Sequence, residues 1–228
     1  MRGHWCLAPL VRKLFFPGII LVFFAPALAG QFDLSDKVLA FVEKKYGAVA
    51  LRRVTEWKHL METSRDKPEA DKLELVNQFF NQTRFVSDSD HWDKKDYWAT
   101  PIEMLATDGG DCEDFAIGKY FTLVQLGIPI NKLHITYVKA LNWNPVNQAH
   151  MVLAYYPAPE AIPLILDSLI PEISPASLRK DLIPVYSFNG DGLWLAKGRG
   201  LGRNVGKSDR IKIWEDLNAR IGKEINAQ

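Results

Sequence analysis

The motif Gly109–Asp114 reads GGDCED and places one thiol among three carboxylates. A cysteine thiolate is a nucleophile, but neighbouring carboxylates repel the negative sulfur and raise the pKa of the thiol. The glycine pair breaks the chain and Asp111 is typical of a helix start, so Cys112 falls in a first helical turn, where the helix dipole favours thiolate. The motif therefore predicts either an inert cysteine or a reactive one whose acidic neighbours are neutralised by another group.

A nucleophilic cysteine needs a base that accepts its proton and a third group that orients the base. His150 begins the apolar run HMVLAYY, and Asp167 follows the next apolar run, residues 162–166. If these runs pair as a hairpin, the imidazole and the carboxylate come from neighbouring strand ends and can meet. Histidines at strand starts are often structural, so spacing alone leaves the triad Cys112, His150 and Asp167 as one of two interpretations. The other histidines after residue 30 lie in less suitable places, in a helix, an aspartate-rich loop and a strand: His59, His91 and His134.

The first elements that must position these residues are helices. Apolar residues at three- and four-residue spacing predict three amphipathic helices: Ser35–Tyr46, Ala50–Met61 and Pro68–Gln82. We expect them to form an N-terminal helical lobe, residues 30–85. Next, Thr100 and Glu103 have the spacing of a capping box with proline at the first helical position, which predicts a short helix ending near Thr107.

The rest of the chain combines one more core helix with strands. The helix that begins at Asp111 runs to about Leu126, where Gly-Ile-Pro ends it. Three strand-like runs follow, at Leu133–Lys139, His150–Tyr156 and Leu164–Leu166. One apolar stripe predicts a C-terminal helix: Ile211, Trp214, Leu217, Ile221 and Ile225. Helices before an antiparallel sheet predict an α+β fold, with residues 86–228 as the core and the lobe packed on it as one compact unit.

Two polar segments have no regular pattern. Residues Ser87–Asp96 contain four aspartates but fail as an EF-hand, because the turn glycine and the final glutamate are missing. We interpret them as a solvated loop. The glycine-rich segment Lys197–Lys207 matches neither GxGxxG nor a P-loop. It is predicted to be a flexible solvated loop, with a partner or substrate contact as the less favoured interpretation.

The start of the chain is typical of export. Basic residues precede a short apolar run broken by Pro17, Gly18 and Pro26, and Ala-Leu-Ala ends at Ala29. This pattern predicts a signal peptide, residues 1–29, with an uncleaved membrane anchor as the alternative. Cleavage would remove Cys6 and leave Cys112 as the only cysteine of an exported chain without stable membrane insertion.

Composition sets further limits. The chain has 228 residues, a net charge of +1 and 47% hydrophobic residues, as expected for a globular protein with a sizeable core. The near-zero charge gives no reason to expect nucleic acid as a partner. No segment beyond the first thirty residues is apolar enough to span a bilayer.

The residues quoted so far carry a resemblance. The order Cys, His, Asp, with cysteine at a helix start, resembles the transglutaminase-like cysteine hydrolases. More narrowly, DYW-x-TP-x-E at residues 96–103 and GDCEDFA at residues 110–116 look like the bacterial transglutaminase-like cysteine proteinases of the LapG type. The resemblance implies a transglutaminase/papain-like core with Cys112 as nucleophile, His150 as base and Asp167 as orienting acid, the last two on an antiparallel sheet.

The resemblance also implies a biological role. LapG-type proteins are periplasmic, calcium-dependent endopeptidases that cleave the N-terminal region of a large repeat adhesin at the cell surface, which releases the adhesin and disperses biofilm. The periplasmic domain of an inner-membrane cyclic-di-GMP receptor, LapD, sequesters them. For this chain the resemblance implies a periplasmic location and the same two partners.

Calcium would explain the acidic motif. The resemblance assigns Asp111, Glu113 and Asp114 as calcium-binding carboxylates. Calcium prefers several oxygen ligands, and Asp93 or Asp96 could add to these three. Ordinary helix capping by Asp111, Glu113 and Asp114 is an equally physical interpretation, and one carboxylate can do both.

Two other functions stay open at this point. Transglutaminase-like triads support several acyl transfers, so transglutamination or deamidation could replace proteolysis. A non-catalytic, calcium-dependent binding module could also have kept the fold, although the intact Cys112, His150 and Asp167 argue against it.

Overall fold

The computed structural model describes residues 34–141, 148–198 and 200–226. The predicted signal peptide and the first residues of the predicted lobe lie outside this range. Within it, no helix is both long enough and apolar enough to cross a membrane.

Three helices open the described chain: α1 (Asp36–Tyr46), α2 (Ala48–Ser64) and α3 (Glu69–Phe80). All three lie where the apolar spacing predicts them. Gly47 alone separates α1 from α2, and its φ of 88° is a left-handed conformation that favours glycine. The buried faces of the helices are apolar and include Val38, Val42, Val54, Trp57, Val76 and Phe80.

Three more helices follow: α4 (Asp88–Trp92), α5 (Pro101–Thr107) and α6 (Cys112–Gln125). The predicted capping box of α5 is present, because Glu103 N donates to Thr100 Oγ1 at 3.0 Å and Thr100 N donates to Glu103 Oε2 at 2.9 Å. The aspartate-rich segment, predicted to be a solvated loop, instead contains α4. Its first residue, Asp88, is buried, so that prediction was wrong for this part of the segment.

Helix α6 is the centre of the helical layer, and the first helices pack on it. Trp57 of α2 is buried, and its indole Nε1 donates to Thr122 Oγ1 at 2.9 Å. Gly118 lies directly against the ring of Phe80 of α3, where any added Cβ would overlap the ring. The lobe and α6 therefore share one hydrophobic core, which also includes inward-facing sheet residues.

The sheet has seven antiparallel strands in the order β4-β3-β2-β1-β5-β6-β7. In chain order they are β1 (Leu133–Ala140), β2 (Gln148–Tyr155), β3 (Leu164–Leu166), β4 (Ser174–Pro175), β5 (Leu182–Phe188), β6 (Leu193–Lys197) and β7 (Gly200–Gly206). Helix α7 (Lys212–Ile225) follows, as its apolar stripe predicts. The α+β fold expected from the sequence is confirmed.

Alternation along β1 and β2 gives the sheet two different faces. On the inner face, Ile135, Met151 and Leu153 pack against the helices. On the outer face, Val138, Val152 and Ala154 belong to a second, smaller apolar cluster. His134 and His150 alternate with inner-face residues, so both belong to the outer face.

The glycine-rich segment contains strand β7, the second strand of a β-hairpin with β6, so its prediction as a flexible loop was wrong. Strands β6 and β7 pair from Leu193↔Gly206 to Lys197↔Gly200, with irregular register between them. At Gly202 an added Cβ would overlap the Leu195 carbonyl, so the close approach of the two backbones requires glycine there. Glycine generally disfavours strands, which is why the composition pointed to a loop.

Candidate active site

The cysteine of the GGDCED motif lies where α6 meets the edge of β2. Cys112 is the first residue of α6, as predicted, and is half-buried. Strand β3 pairs with β2 only at Leu153–Tyr155, which leaves the preceding part of β2 open to the helix start. There burial, Glu113 and Asp111 raise the pKa of the Cys112 thiol, whereas the backbone N–H of Met151 lies close enough to lower it. The nucleophile candidate therefore lies near the residue that follows His150.

The hairpin proposed from the sequence is confirmed, because β2 and β3 pair with Leu153 opposite Leu166. It brings His150 Nε2 within 2.8 Å of Asp167 Oδ1, and both side chains are buried. Burial raises the pKa of Asp167, but the hydrogen bond and charge of His150, the Leu169 amide and Arg179 lower it to about 2. An ionised carboxylate only accepts, so Nε2 carries a proton and donates it. In the neutral imidazole the unprotonated nitrogen is then Nδ1, which leaves Nδ1 as the basic atom.

Three side chains that the sequence did not single out hold Asp167. Arg179 Nη2 donates to Asp167 Oδ2 at 2.7 Å and to Asp181 Oδ2 at 2.8 Å. The Asp167 backbone carbonyl accepts from Lys119 Nζ at 3.0 Å and from Asn81 Nδ2 at 2.9 Å. The position of Asp167 is therefore fixed from its side chain and from its backbone.

Of these three, only Lys119 gave a signal in the sequence. It is a lysine inside an otherwise apolar helix, and it is fully buried. Burial lowers its pKa to about 7, against the opposing charge of Asp167. Arg179 lies in a polar stretch, and Asn81 lies near the end of the predicted helix Pro68–Gln82, so neither could be distinguished from solvated residues before the fold was known.

A cluster of carboxylates surrounds the start of α6. Side-chain oxygens of Asp88, Asp111 and Asp114 lie within 4.8 Å of one another, as do those of Asp88, Asp96 and Glu113. Asp96 joins the cluster, whereas the groups of potential ligands among the described residues do not include Asp93. Asp88 was not predicted. Asp88 lies near the start of α6 because the residues just before it pair with the GGDCED motif, where Val86 N donates to the Gly110 carbonyl at 2.9 Å.

Two oxygens of this cluster have no hydrogen-bond donor. Asp88 Oδ2 accepts from Tyr97 N at 2.6 Å, but Asp88 Oδ1 is buried without a partner. Asp111 Oδ1 is buried without a partner as well. Buried polar atoms are normally satisfied, so two unpartnered acceptors within one carboxylate cluster fit a bound cation better than a purely structural cap.

Asp114 has a different position within the cluster. Its Oδ1 accepts from Ala99 N at 2.7 Å and its Oδ2 accepts from Asp111 N at 3.2 Å. The second bond is the capping interaction foreseen for the helix start. Asp114 thus ties the loop before α5 to the start of α6, whether or not it also contacts a cation. Gly110 leaves room for it, since a Cβ there would lie 2.6 Å from Asp114 Oδ2.

Without a bound cation, the carboxylates around the start of α6 disfavour the thiolate form of Cys112. Burial raises the pKa of Asp88 to about 6 and that of Asp111 to about 8, and the nearby carboxylates add to both shifts. Burial also raises the pKa of the Cys112 thiol, with further contributions from Glu113 and Asp111. The thiol donates to Glu113 Oε2 at 3.0 Å. The conflict seen in the sequence is therefore present in the folded protein.

Comparison with known proteins identifies the class that this fold and site define. Residues 48–178 match the family described as bacterial transglutaminase-like cysteine proteinase. This span exceeds half of the chain, and the chain belongs to this family of cysteine proteases. Comparison with curated protein sequences gave no match.

Solved structures of one relative resemble the chain closely. Legionella pneumophila LapG in an EGTA-treated form is 46% identical, with a TM-score of 0.72 over 81% of this chain and 96% of that chain. Another structure of the same protein gives a TM-score of 0.71 with 94% of that chain covered. A calcium-bound form gives 0.69 with 97% covered, at the same identity and the same 81% of this chain.

Proposed function

We propose that the chain is a calcium-dependent cysteine endopeptidase with Cys112 as nucleophile, His150 as base and Asp167 as orienting acid. One observation carries this proposal. The buried His150–Asp167 pair is bonded at 2.8 Å, and the next residue on β2, Met151, has its backbone N–H near the sulfur of a half-buried cysteine at a helix start. These are the parts that an activated thiol requires, and membership of a cysteine proteinase family supports their use in peptide hydrolysis.

The chemistry follows from the two nitrogen atoms of His150. Asp167 holds the proton on Nε2, so Nδ1 takes the proton of the Cys112 thiol. The thiolate attacks the carbonyl carbon of the scissile peptide bond, and backbone amides near the start of α6 stabilise the oxyanion. Nδ1 then gives its proton to the departing amine. Water hydrolyses the thioester, with His150 again as the base, and the free thiol is restored.

The carboxylates around the helix start fit a calcium ion. Asp88, Asp96, Asp111 and Glu113 would hold it, because Asp88 and Asp111 offer the unpartnered buried oxygens and all four belong to the cluster. An all-oxygen set of carboxylates suits a hard cation of this kind. When bound, the ion supplies positive charge that offsets the carboxylates and favours the Cys112 thiolate. The calcium-bound and EGTA-treated structures of Legionella LapG support calcium as the cation.

The substrate and the location follow from the same resemblance. We propose that the protease is periplasmic and that it cleaves the N-terminal region of a large repeat adhesin. We further propose that the periplasmic domain of a LapD-type cyclic-di-GMP receptor sequesters it. The 46% identity to a LapG over 81% of the chain supports these proposals, as does the export pattern of the first thirty residues.

Incubation of the purified protein with the N-terminal region of an adhesin from the same genome tests the function. The expected result is two shorter products in the presence of calcium, and none with EGTA or with Cys112→Ala. Product masses separate the alternatives, since transglutamination joins chains and deamidation leaves chain length unchanged. Binding of calcium and adhesin without any covalent product would instead favour the non-catalytic module.

An active-site thiol label provides an independent check of the nucleophile. An electrophile that mimics a peptide carbonyl should modify Cys112 faster than it modifies free cysteine, and the difference should disappear with EGTA. A thiol no more reactive than free cysteine under both conditions would remove Cys112 from the proposed role. Circular dichroism of Cys112→Ala serves as the control that the fold persists.

A further inference from the structure

A cleft of about 230 Å³ lies on the sheet away from the triad. Its lining includes His134 at the start of β1, Tyr156 just after β2, and Trp194 of β6. His134 pairs with Ala154 on β2, whereas His150 pairs with Val138. The two histidines are thus four residues apart along β1, which corresponds to roughly 13 Å at the rise of a strand.

His134, one of the residues that line this cleft, has an unsatisfied hydrogen-bond acceptor. Its Nε2 lies 3.1 Å from the Asn131 carbonyl, which only accepts, so Nε2 carries the proton and Nδ1 carries a lone pair. The residue is 1% exposed, and Nδ1 is buried without a hydrogen-bond partner. Burial lowers the pKa of His134 to about 4, and the ring is therefore neutral at physiological pH. A ligand in the cleft can supply the missing donor.

The other residues that line the cleft favour a positively charged ligand. Trp194 and Tyr156 stand nearly perpendicular to the His134 ring, with centroids 4.8 and 5.3 Å away. Asp191 is exposed at the rim and lies close enough to raise the pKa of His134, against the larger effect of burial. The positive charge of Lys132 is already engaged, since its Nζ bonds both carboxylate oxygens of Glu69 at 2.9 Å.

We propose that this cleft binds an arginine side chain presented by another protein. A guanidinium is planar, carries several N–H donors and is weakly hydrated, so it can donate to His134 Nδ1 and to Asp191 while it lies against Trp194. An aliphatic group would leave both acceptors unpaired, and an anion would be repelled by Asp191. The site uses neither the thiol nor the carboxylate cluster, and it stands independently of the proposed proteolysis.

Titration of the full-length protein with N-acetyl-arginine amide tests the site, and NMR of the His134 ring nitrogens follows binding. The expected result is a saturable shift of Nδ1 with the arginine compound and none with the N-acetyl-citrulline amide, which keeps donors but lacks charge. Absence of a saturable shift, or equal binding of citrulline, would overturn the proposal.

Substitution at the rim provides the second measurement. Asp191→Asn should weaken binding by about tenfold, the scale of one charge-assisted hydrogen bond, without effect on the fold. Only the backbone of Asp191 takes part in the adjacent turn, where its N–H donates to Asn189 Oδ1 at 2.8 Å. Asp209→Asn, another exposed aspartate outside the cleft, should leave binding unchanged. An unchanged dissociation constant for Asp191→Asn would contradict the assignment.

Discussion

Arg179 provides the sharpest test of how the triad is held, because it is a buried cation bonded to a buried carboxylate. Arg179 is 5% exposed, and its Nη2 lies 2.7 Å from Asp167 Oδ2. Arg179→Met keeps most of the aliphatic volume and removes the charge. Asp167 then keeps His150 and the Leu169 amide but loses its partner at Oδ2, so we expect a folded protein of clearly lower stability.

The size of the effect can be bounded from the pKa of Asp167. Burial raises that pKa and the partners of Asp167 lower it, and the net result is a change from 3.8 to about 2. At about 1.36 kcal/mol per pKa unit this net change corresponds to roughly 2 kcal/mol in favour of the ionised form. Removal of one partner of a buried ion pair commonly costs about 3–5 kcal/mol, since the remaining charge stays buried. We expect a loss of about 3 kcal/mol in the free energy of unfolding, between these two measures.

The stability difference between wild type and Arg179→Met should depend on pH, because it involves the ionised carboxylate of Asp167. The pKa of Asp167 is lower in the folded state, so its contribution is fully present above the unfolded value of 3.8 and disappears as pH falls toward about 2. The stability difference between wild type and Arg179→Met should therefore be largest near neutral pH and shrink between about pH 4 and pH 2.

Urea unfolding across this pH range provides the assay, with Arg210→Met as the matched control. Arg210 is exposed, and its Nη1 donates to the Val205 carbonyl at 2.8 Å. Its substitution should change the free energy of unfolding by less than about 0.5 kcal/mol. Equal midpoints for wild type and Arg179→Met at neutral pH, or a difference that does not change with pH, would refute the reasoning.

Three further predictions test other parts of the site and the core. Asp88→Asn should weaken calcium binding in isothermal titration calorimetry because it removes a carboxylate charge from the cluster, whereas Asp93→Asn should leave the affinity unchanged; equal affinities for the two variants would exclude Asp88 as a ligand. Asp167→Asn should lower kcat by up to about 10⁴-fold, because the amide can stabilise the wrong tautomer of the base; a steady-state assay that finds wild-type kcat would remove Asp167 from the triad. Gly118→Ala should destabilise by about 1–3 kcal/mol in urea unfolding, since its methyl group overlaps Phe80; an unchanged midpoint would mean that the ring can move aside.

Local pattern was sufficient for the elements that carry the triad candidates. The glycine pair before Asp111 marks the helix start, and two apolar runs around a short turn mark the hairpin of His150 and Asp167. These signals depend only on residues close together in the chain, where periodicity and helix stop signals act directly. The three core strands at Leu133, His150 and Leu164 were therefore found to within two residues of their ends.

The sequence did not predict strands β5 and β7, because their residues give weak or mixed local signals for a strand. Strand β5 contains Pro184 and strand β7 contains three glycines, both of which disfavour strand in isolation. They become strands because neighbouring strands offer backbone partners, as Val138 does opposite Pro184. Cross-strand pairing is a property of the assembled sheet, and composition could not show it.

The sequence by itself determined which residues could react, namely one cysteine at a helix start, one histidine and one aspartate at strand ends, and a cluster of acids next to the thiol. Only the tertiary structure decided what surrounds them. In the folded chain Asp96, and not Asp93, belongs to the carboxylate cluster. The contact of Val86 with Gly110 places Asp88 at the helix start. Arg179 binds the Asp167 carboxylate. The reason is physical, because the identity of a side chain fixes its chemistry, whereas burial and charge neighbours depend on contacts between residues far apart in the chain.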